Sequence, residues 1–166
     1  VWFGSAQGLY KYFPKLDSVE VVKTSNEVLN TSFINCIYTD STNNVWLGTK
    51  NAGVFVINPS GKVTNYSVNN GLANNYVKTI IEGKKGEIIV GTIDGLNLIK
   101  KENVTLIDLP KIQGISLTFT SSTSYKNQLI FGALNNQLYL LNKNTYEPLW
   151  MTQNNGFIYQ RVWAAF

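Results

Sequence analysis

One short phrase occurs four times in this chain. It reads VWFGSAQGLY from Val1, VWLGTKNAGVF from Val45, IIVGTIDGLNL from Ile88 and LIFGALNNQLYL from Leu129, at intervals of 44, 43 and 41 residues. A chain that repeats at this spacing stacks one supersecondary unit on the next, and each unit needs its neighbours to cover its apolar faces. The best-preserved unit contains four short runs rich in β-branched and aromatic residues: 33–38 (FINCIY), 45–49 (VWLGT), 54–57 (VFVI) and 63–66 (VTNY). Gly, Asn and Pro separate the runs, as expected of strands and turns. The segment 69–75 (NNGLANN) crosses to the next unit. No segment keeps a helical period over the roughly 11 residues that a helix requires. Four short strands in a period of 40 to 45 residues are the pattern of a β-propeller.

The later units follow the same order. Strands are expected at 77–81, 88–92, 96–99 and 104–109, with turns at 83–86 and at Asp94-Gly95. The third full unit is less regular: strand 115–120, turn 121–127, strands 129–132 and 138–141, and a weaker strand near 149–151. The opening VWFG reads as a second strand. At the other end, setting Gly156 on Gly71 places Val162 on Val77, so 158–166 reads as a first strand. The expected architecture is all-β: a partial blade at 1–32, four-stranded blades at 33–75, 76–113 and 114–157, and the first strand of another blade at 158–166. Three blades and two fragments are too few to close a ring of four to eight. The expectation is therefore a segment of a larger propeller, partnered by the remaining blades of a parent chain. A self-assembling half-propeller, a homodimer for instance, is the alternative.

Composition narrows the function. The chain is 44% hydrophobic and 14% charged, which excludes ordinary disorder. Its net charge of +4 is scattered, and the Lys84-Lys85 and Lys100-Lys101 pairs fall in turns. A nucleic-acid partner needs a concentrated basic face, so none is expected. There is no histidine, which removes Ser-His-Asp and Cys-His catalysis and histidine metal ligation together. The lone cysteine, Cys36, permits no intramolecular disulfide and reads as a small buried hydrophobe on a strand. The chain has no phosphate-binding glycine loop and no calcium-loop pattern, so no metal or cofactor is expected. Asp40, Asp94 and Asp108 fall at unrelated places in the repeat, so this segment is not expected to be an enzyme. No apolar run reaches the length of a membrane helix, so any membrane association belongs to the parent protein.

Trp46 recurs as Trp2 and gives way to Ile89 and Ile130, which marks an apolar core position rather than a sugar platform. Gly4, Gly48, Gly91 and Gly132 recur two residues later and signal a bulge or a close backbone approach. The 21 asparagines cluster in pairs that build turns. Three Asn-x-Ser/Thr triplets, at Asn30, Asn65 and Asn103, arise readily in so Asn-rich a chain. In a propeller the crossing from a fourth strand to the next first strand shares a face with the second-to-third turn. That face surrounds the channel mouth, where loops vary without disturbing the core. Here it would display Asn51, Asn70, Asn74, Asn75, Tyr76, Asp94, Asn135, Asn154, Asn155, Tyr159, Gln160 and Arg161. Amides, phenols and an arginine suit a polar, uncharged or anionic ligand.

The unit from FINCIY through VWLGT and GVFVIN to YSVNNGLANNYV resembles the bacterial two-component regulator propeller repeat. The residues that carry the resemblance are Val45 to Thr49, Gly53 to Phe55, Tyr66, Asn70 to Leu72 and Asn75, with Gly8-Leu9-Tyr10, Gly91-Thr92 and Gly95-Leu96 in other units. Residues 126–142 depart from it, with Ala133 in place of Thr and no Gly-Leu pair. The resemblance implies a periplasmic or cell-surface sensing region of a histidine kinase or hybrid two-component sensor, with the kinase chemistry elsewhere in the parent chain. It further implies an oligosaccharide or similar polar ligand. A structural or protein-docking propeller of a bacterial surface or secretion-associated protein is the alternative.

Overall fold

The computed structural model describes residues 1–109, 117–134 and 138–150. The described residues form four antiparallel sheets that follow one another along the chain. The first has three strands, β1 (Trp2–Ser5), β2 (Gly8–Phe13) and β3 (Ser18–Val21). The second has four, β4 (Ile34–Thr39), β5 (Val45–Thr49), β6 (Val54–Ile57) and β7 (Val63–Tyr66). The third holds β8 (Val77–Glu82), β9 (Glu87–Thr92), β10 (Leu96–Lys100) and β11 (Asn103–Leu106). The fourth holds β12 (Phe119–Tyr125), β13 (Gln128–Ala133), β14 (Leu138–Asn142) and β15 (Pro148–Trp150). In every four-stranded sheet the strands lie in sequence order, and the first strands β4, β8 and β12 are neighbours. These are propeller blades with their first strands nearest the axis. The first sheet begins at a second strand, as its VWFG phrase implies. The expected first strand at 158–166 lies outside the described residues.

The strands read as continuous apolar runs because both faces of a blade are covered. Every residue of β5, β6 and β9 is buried. Three apolar clusters fill the spaces between successive blades. Leu9, Leu29, Ile34, Leu47 and Phe55 lie between the first and second. Trp46, Tyr66, Val77 and Val90 lie between the second and third. Ile89, Leu96, Phe119, Phe131 and Tyr139 lie between the third and fourth.

The recurring second-strand glycine is a socket. A Cβ on Gly4 would come within 2.5 Å of the Ile34 side chain, one on Gly48 within 2.6 Å of Val77, and one on Gly91 within 3.0 Å of Phe119. Each intruding residue opens the first strand of the following blade, so the glycine sets how closely blades pack. Gly48 and Gly91 also lie under Cys36 and Thr79 of their own first strands. A bulge sits at the same place in all three first strands, between Ile34 and Cys36, Val77 and Thr79, and Phe119 and Ser121. The extra residues are Asn35, Lys78 and Thr120.

Two features differ from the sequence reading. Strand β12 runs through Ser121-Ser-Thr-Ser, which the composition marks as a turn, and the actual turn is at Lys126-Asn127, where Lys126 has φ +52°. The hydroxyl side chains belong to an inner strand, where Ser122 shares a 2.6 Å hydrogen bond with Thr79 of the preceding blade. One helical turn, α1 (Glu27–Asn30), was also not expected. Asn26 caps it, its side-chain oxygen accepting from Leu29 N, and the turn buries Leu29 under the crossing. It is too short to show any period.

One face of the first sheet is apolar and open. Register places Phe3, Tyr10 and Val21 side by side, with Val19 opposite Tyr12. Phe3 is 46% and Val21 49% exposed, whereas Leu47 and Phe55, which occupy the Phe3 and Tyr10 positions one blade later, are 0% and 1% exposed.

Candidate functional site

The inner strands begin on the face that carries the crossings and the second-to-third turns. Backbone hydrogen bonds tie these loops together. Gly53 N donates to Asn75 O at 3.0 Å, and Lys50 N, Ile93 N and Leu134 N donate to Phe33 O, Tyr76 O and Thr118 O at 3.0, 3.2 and 3.0 Å. The β5–β6 and β9–β10 turns are each set by the threonine ending the second strand. Thr49 Oγ1 donates to Gly53 O and accepts from Ala52 N, and Thr92 Oγ1 does the same with Gly95 O and Asp94 N. Gly53 is required on two counts: its φ is +77°, and a Cβ there would collide with the Tyr66 carbonyl.

Of the four expected site amides among the described residues, three build this surface. Asn70 closes a capping box on the 3₁₀ turn Val68–Asn70, its side-chain oxygen accepting from Ser67 N. Asn75 Oδ1 accepts from Val68 N, and Asn74 Oδ1 accepts from Tyr76 N. Asn74 also donates to Asp94 Oδ2 at 2.7 Å, so Asn74, Tyr76 and Asp94 are brought together across two loops. Asn51 is exposed at a turn tip. Asn135, Asn154, Asn155, Tyr159, Gln160 and Arg161 lie outside the described residues.

Phe33, Asn35, Lys50 and Lys78 at the mouth were not singled out from the sequence, whereas Tyr76 was. Phe33 and Tyr76 occupy equivalent positions immediately before an inner strand, and each carries a lysine over its ring. Lys50 Nζ is 5.7 Å from the Phe33 centroid, and Lys78 Nζ is 4.5 Å from that of Tyr76. Lys78 Nζ also donates to the Tyr76 hydroxyl at 3.2 Å. The bulge residue Asn35 donates its amide to Val77 O of the next blade at 2.9 Å, against the backbone that leads to Lys78. The available signal was a polar residue second in each inner strand, at 35, 78 and 120, and its meaning depends on knowing that a bulge is there.

The opposite face, where inner strands end, is held by carboxylates. Asp40 accepts from Thr42 N and Oγ1, Asn44 N and Nδ2, and the buried Trp46 indole at 2.8 Å. Burial opposes its charge, but the bonds from Trp46, Asn44 and Thr42 outweigh it and hold the carboxyl below its usual range. Glu82 reaches across the blade boundary to Ser41 N and Oγ. Glu87 pairs with Lys100 at 2.6 Å and accepts from the Tyr146 hydroxyl of the following blade at 2.7 Å. Lys100 first and Tyr146 second lower the Glu87 pKa. Trp46 is thus a core residue with its N–H satisfied. Trp2 is half-buried and lines a cleft of about 370 Å³ with Lys11, Asn43 and Asn58. Among the described residues no cluster of three His, Cys, Asp or Glu could hold a metal, and no helix is long and apolar enough to cross a membrane.

No curated protein sequence matches the chain. Among solved structures, the chain is similar to the extracellular domain of a protein described as a one-component system from B. thetaiotaomicron, at 23% identity and TM-score 0.75, covering 89% of this chain and 20% of that one. It is similar to the extracellular domain of a hybrid two-component system from the same organism, at 19% identity and TM-score 0.69, covering 89% of this chain and 21% of that one. The chain therefore spans about a fifth of the length of these domains. A virginiamycin B lyase from Staphylococcus aureus shares the fold at 16% identity and TM-score 0.70, covering 87% of this chain and 48% of the lyase. Residues 28–51, from α1 through the Asp40 turn to the end of β5, match the family described as two component regulator propeller. The chain is a run of β-propeller blades in which residues 28–51 are similar to the two component regulator propeller repeat.

Proposed function

We propose that these blades are the ligand-sensing, extracytoplasmic part of a two-component signal transduction sensor, with the channel mouth as the sensing surface and an oligosaccharide or similar polar molecule as the ligand. The observation that carries this reading is the regulator-propeller repeat at residues 28–51, set in a fold shared with extracellular domains of bacterial one-component and hybrid two-component systems. A periplasmic or cell-surface location follows from the same reading, as does an output domain, a histidine kinase for example, elsewhere in the parent chain.

The mouth supports it chemically. Its turns are fixed by internal hydrogen bonds, which leaves Tyr76, Asn51 and the lysines to face a ligand without reorganising the loops. The lyase likeness favours catalysis less. One such lyase is inactivated by a histidine-to-alanine substitution, and this chain has no histidine. The test is a glycan-array and thermal-shift screen on the natural full-length protein. A saccharide that raises the melting temperature and whose effect is lost in Tyr76→Ala supports the reading. A protein partner that co-purifies while no saccharide shifts melting refutes it in favour of a docking propeller.

A further inference from the structure

We propose that the mouth recognises an acidic saccharide, one bearing a carboxylate or sulfate, through Lys50 and Lys78. This rests on the sugar-sensing reading above and adds the charge of the ligand. Phe33 with Lys50 and Tyr76 with Lys78 form two aromatic–ammonium pairs one blade apart: the rings stand at equivalent places before the inner strands, while Lys50 comes from a second-to-third turn and Lys78 from an inner-strand bulge. Holding a lysine side chain in one geometry ordinarily costs rotamer entropy. Here the ring faces and the Tyr76 hydroxyl already restrain the ammonium groups, so less order is lost when an anion arrives.

Among the described residues neither ammonium is paired with a carboxylate. The ion pair among the described residues is Lys100 with Glu87, on the opposite face. The nearby acid of this rim, Asp94, is engaged by the Asn74 amide. The mouth therefore holds two uncompensated positive charges next to aromatic faces and the Asn35 amide. A pyranose can lay its apolar face on a ring while its acid group accepts charge-assisted hydrogen bonds from the ammonium. Lysine is a point charge with rotatable donors, so carboxylate and sulfate fit equally well.

The experiment is calorimetric titration of the natural full-length protein with three trisaccharides: galacturonate, sulfated galactose and neutral galactose. The variants are the double substitution Lys50→Gln/Lys78→Gln and, as a control on the opposite face, Lys143→Gln, each checked for an unchanged far-UV spectrum. At least one acidic trimer is expected to bind roughly tenfold or more tightly than the neutral one. That binding should weaken at higher salt, should fall by a similar factor in the double variant, and should survive in the control. Equal affinity for neutral and acidic trimers, or acidic binding untouched by the double variant, overturns the proposal. Neutral saccharide binding alone sinks this inference and leaves the sensing reading standing. No binding of any saccharide sinks both.

Discussion

Replacing Asp40 by alanine strands the Trp46 indole N–H in a buried site and removes the acceptor for the 41–44 turn. The expected cost is about 2–3 kcal/mol, read from urea unfolding, with Asp40→Asn costing less because it keeps an acceptor. The sequence did not announce this role, because the equivalent turns after β8 and β12 carry Gly83 and Lys126 in place of the Asp. An acid six residues before a tryptophan acquires meaning only when a tight turn folds one back on the other. Cys36 was legible as a core thiol. Burial pushes its pKa up to about 12, against opposing pulls from the Gly48 backbone and the Lys78 ammonium. Since the thiolate is the nucleophile, Cys36 should label much more slowly than a free thiol at pH 8. Labelling with a chromogenic disulfide as fast as glutathione would contradict this.

Among elements, the second strand was the easiest to read and the inner strand the hardest. The former is buried on both faces, so β5 and β9 each carry a continuous apolar run, Val45 to Leu47 and Ile88 to Val90, and composition locates them. The latter borders the axis and satisfies itself with hydroxyls, so β12 looks like a turn until its partner across the blade boundary is seen. The socket glycines link these two strands. Gly48→Ala places a methyl against Val77 and Cys36, and Gly91→Ala places one against Thr79 and Phe119. Each should destabilise by about 1–3 kcal/mol as overpacking, and Val77→Ala should partly rescue Gly48→Ala. Additive losses in that pair, measured by a double-mutant cycle, would show that the socket is not the cause.

Across the whole molecule, carboxylates clamp the face opposite the mouth, and their protonation should loosen it. Asp40 and Glu87 both have pKa values lowered by folding. Their contribution is therefore present above the unfolded carboxylate pKa of about 4 and is lost as pH falls through the lower folded values. Melting temperature should drop below about pH 4, and the drop should be shallower in Glu87→Gln. The blade repeat and its period were plain in the sequence because packing imposes them on every unit. The proposed ligand surface was not, because its asparagines serve the loops while its lysines sit at positions that differ from blade to blade.

That difference is permitted by the inner-strand bulge. The extra residue stands outside the ladder, so Asn35, Lys78 and Thr120 share one location without sharing any chemistry. Each blade thus holds one letter that can be rewritten while the strand pairing around it stays fixed. On the proposed sensing role, ligand preference in such a ring can drift one blade at a time, and grafting a single bulge residue between blades should transfer recognition without transferring fold.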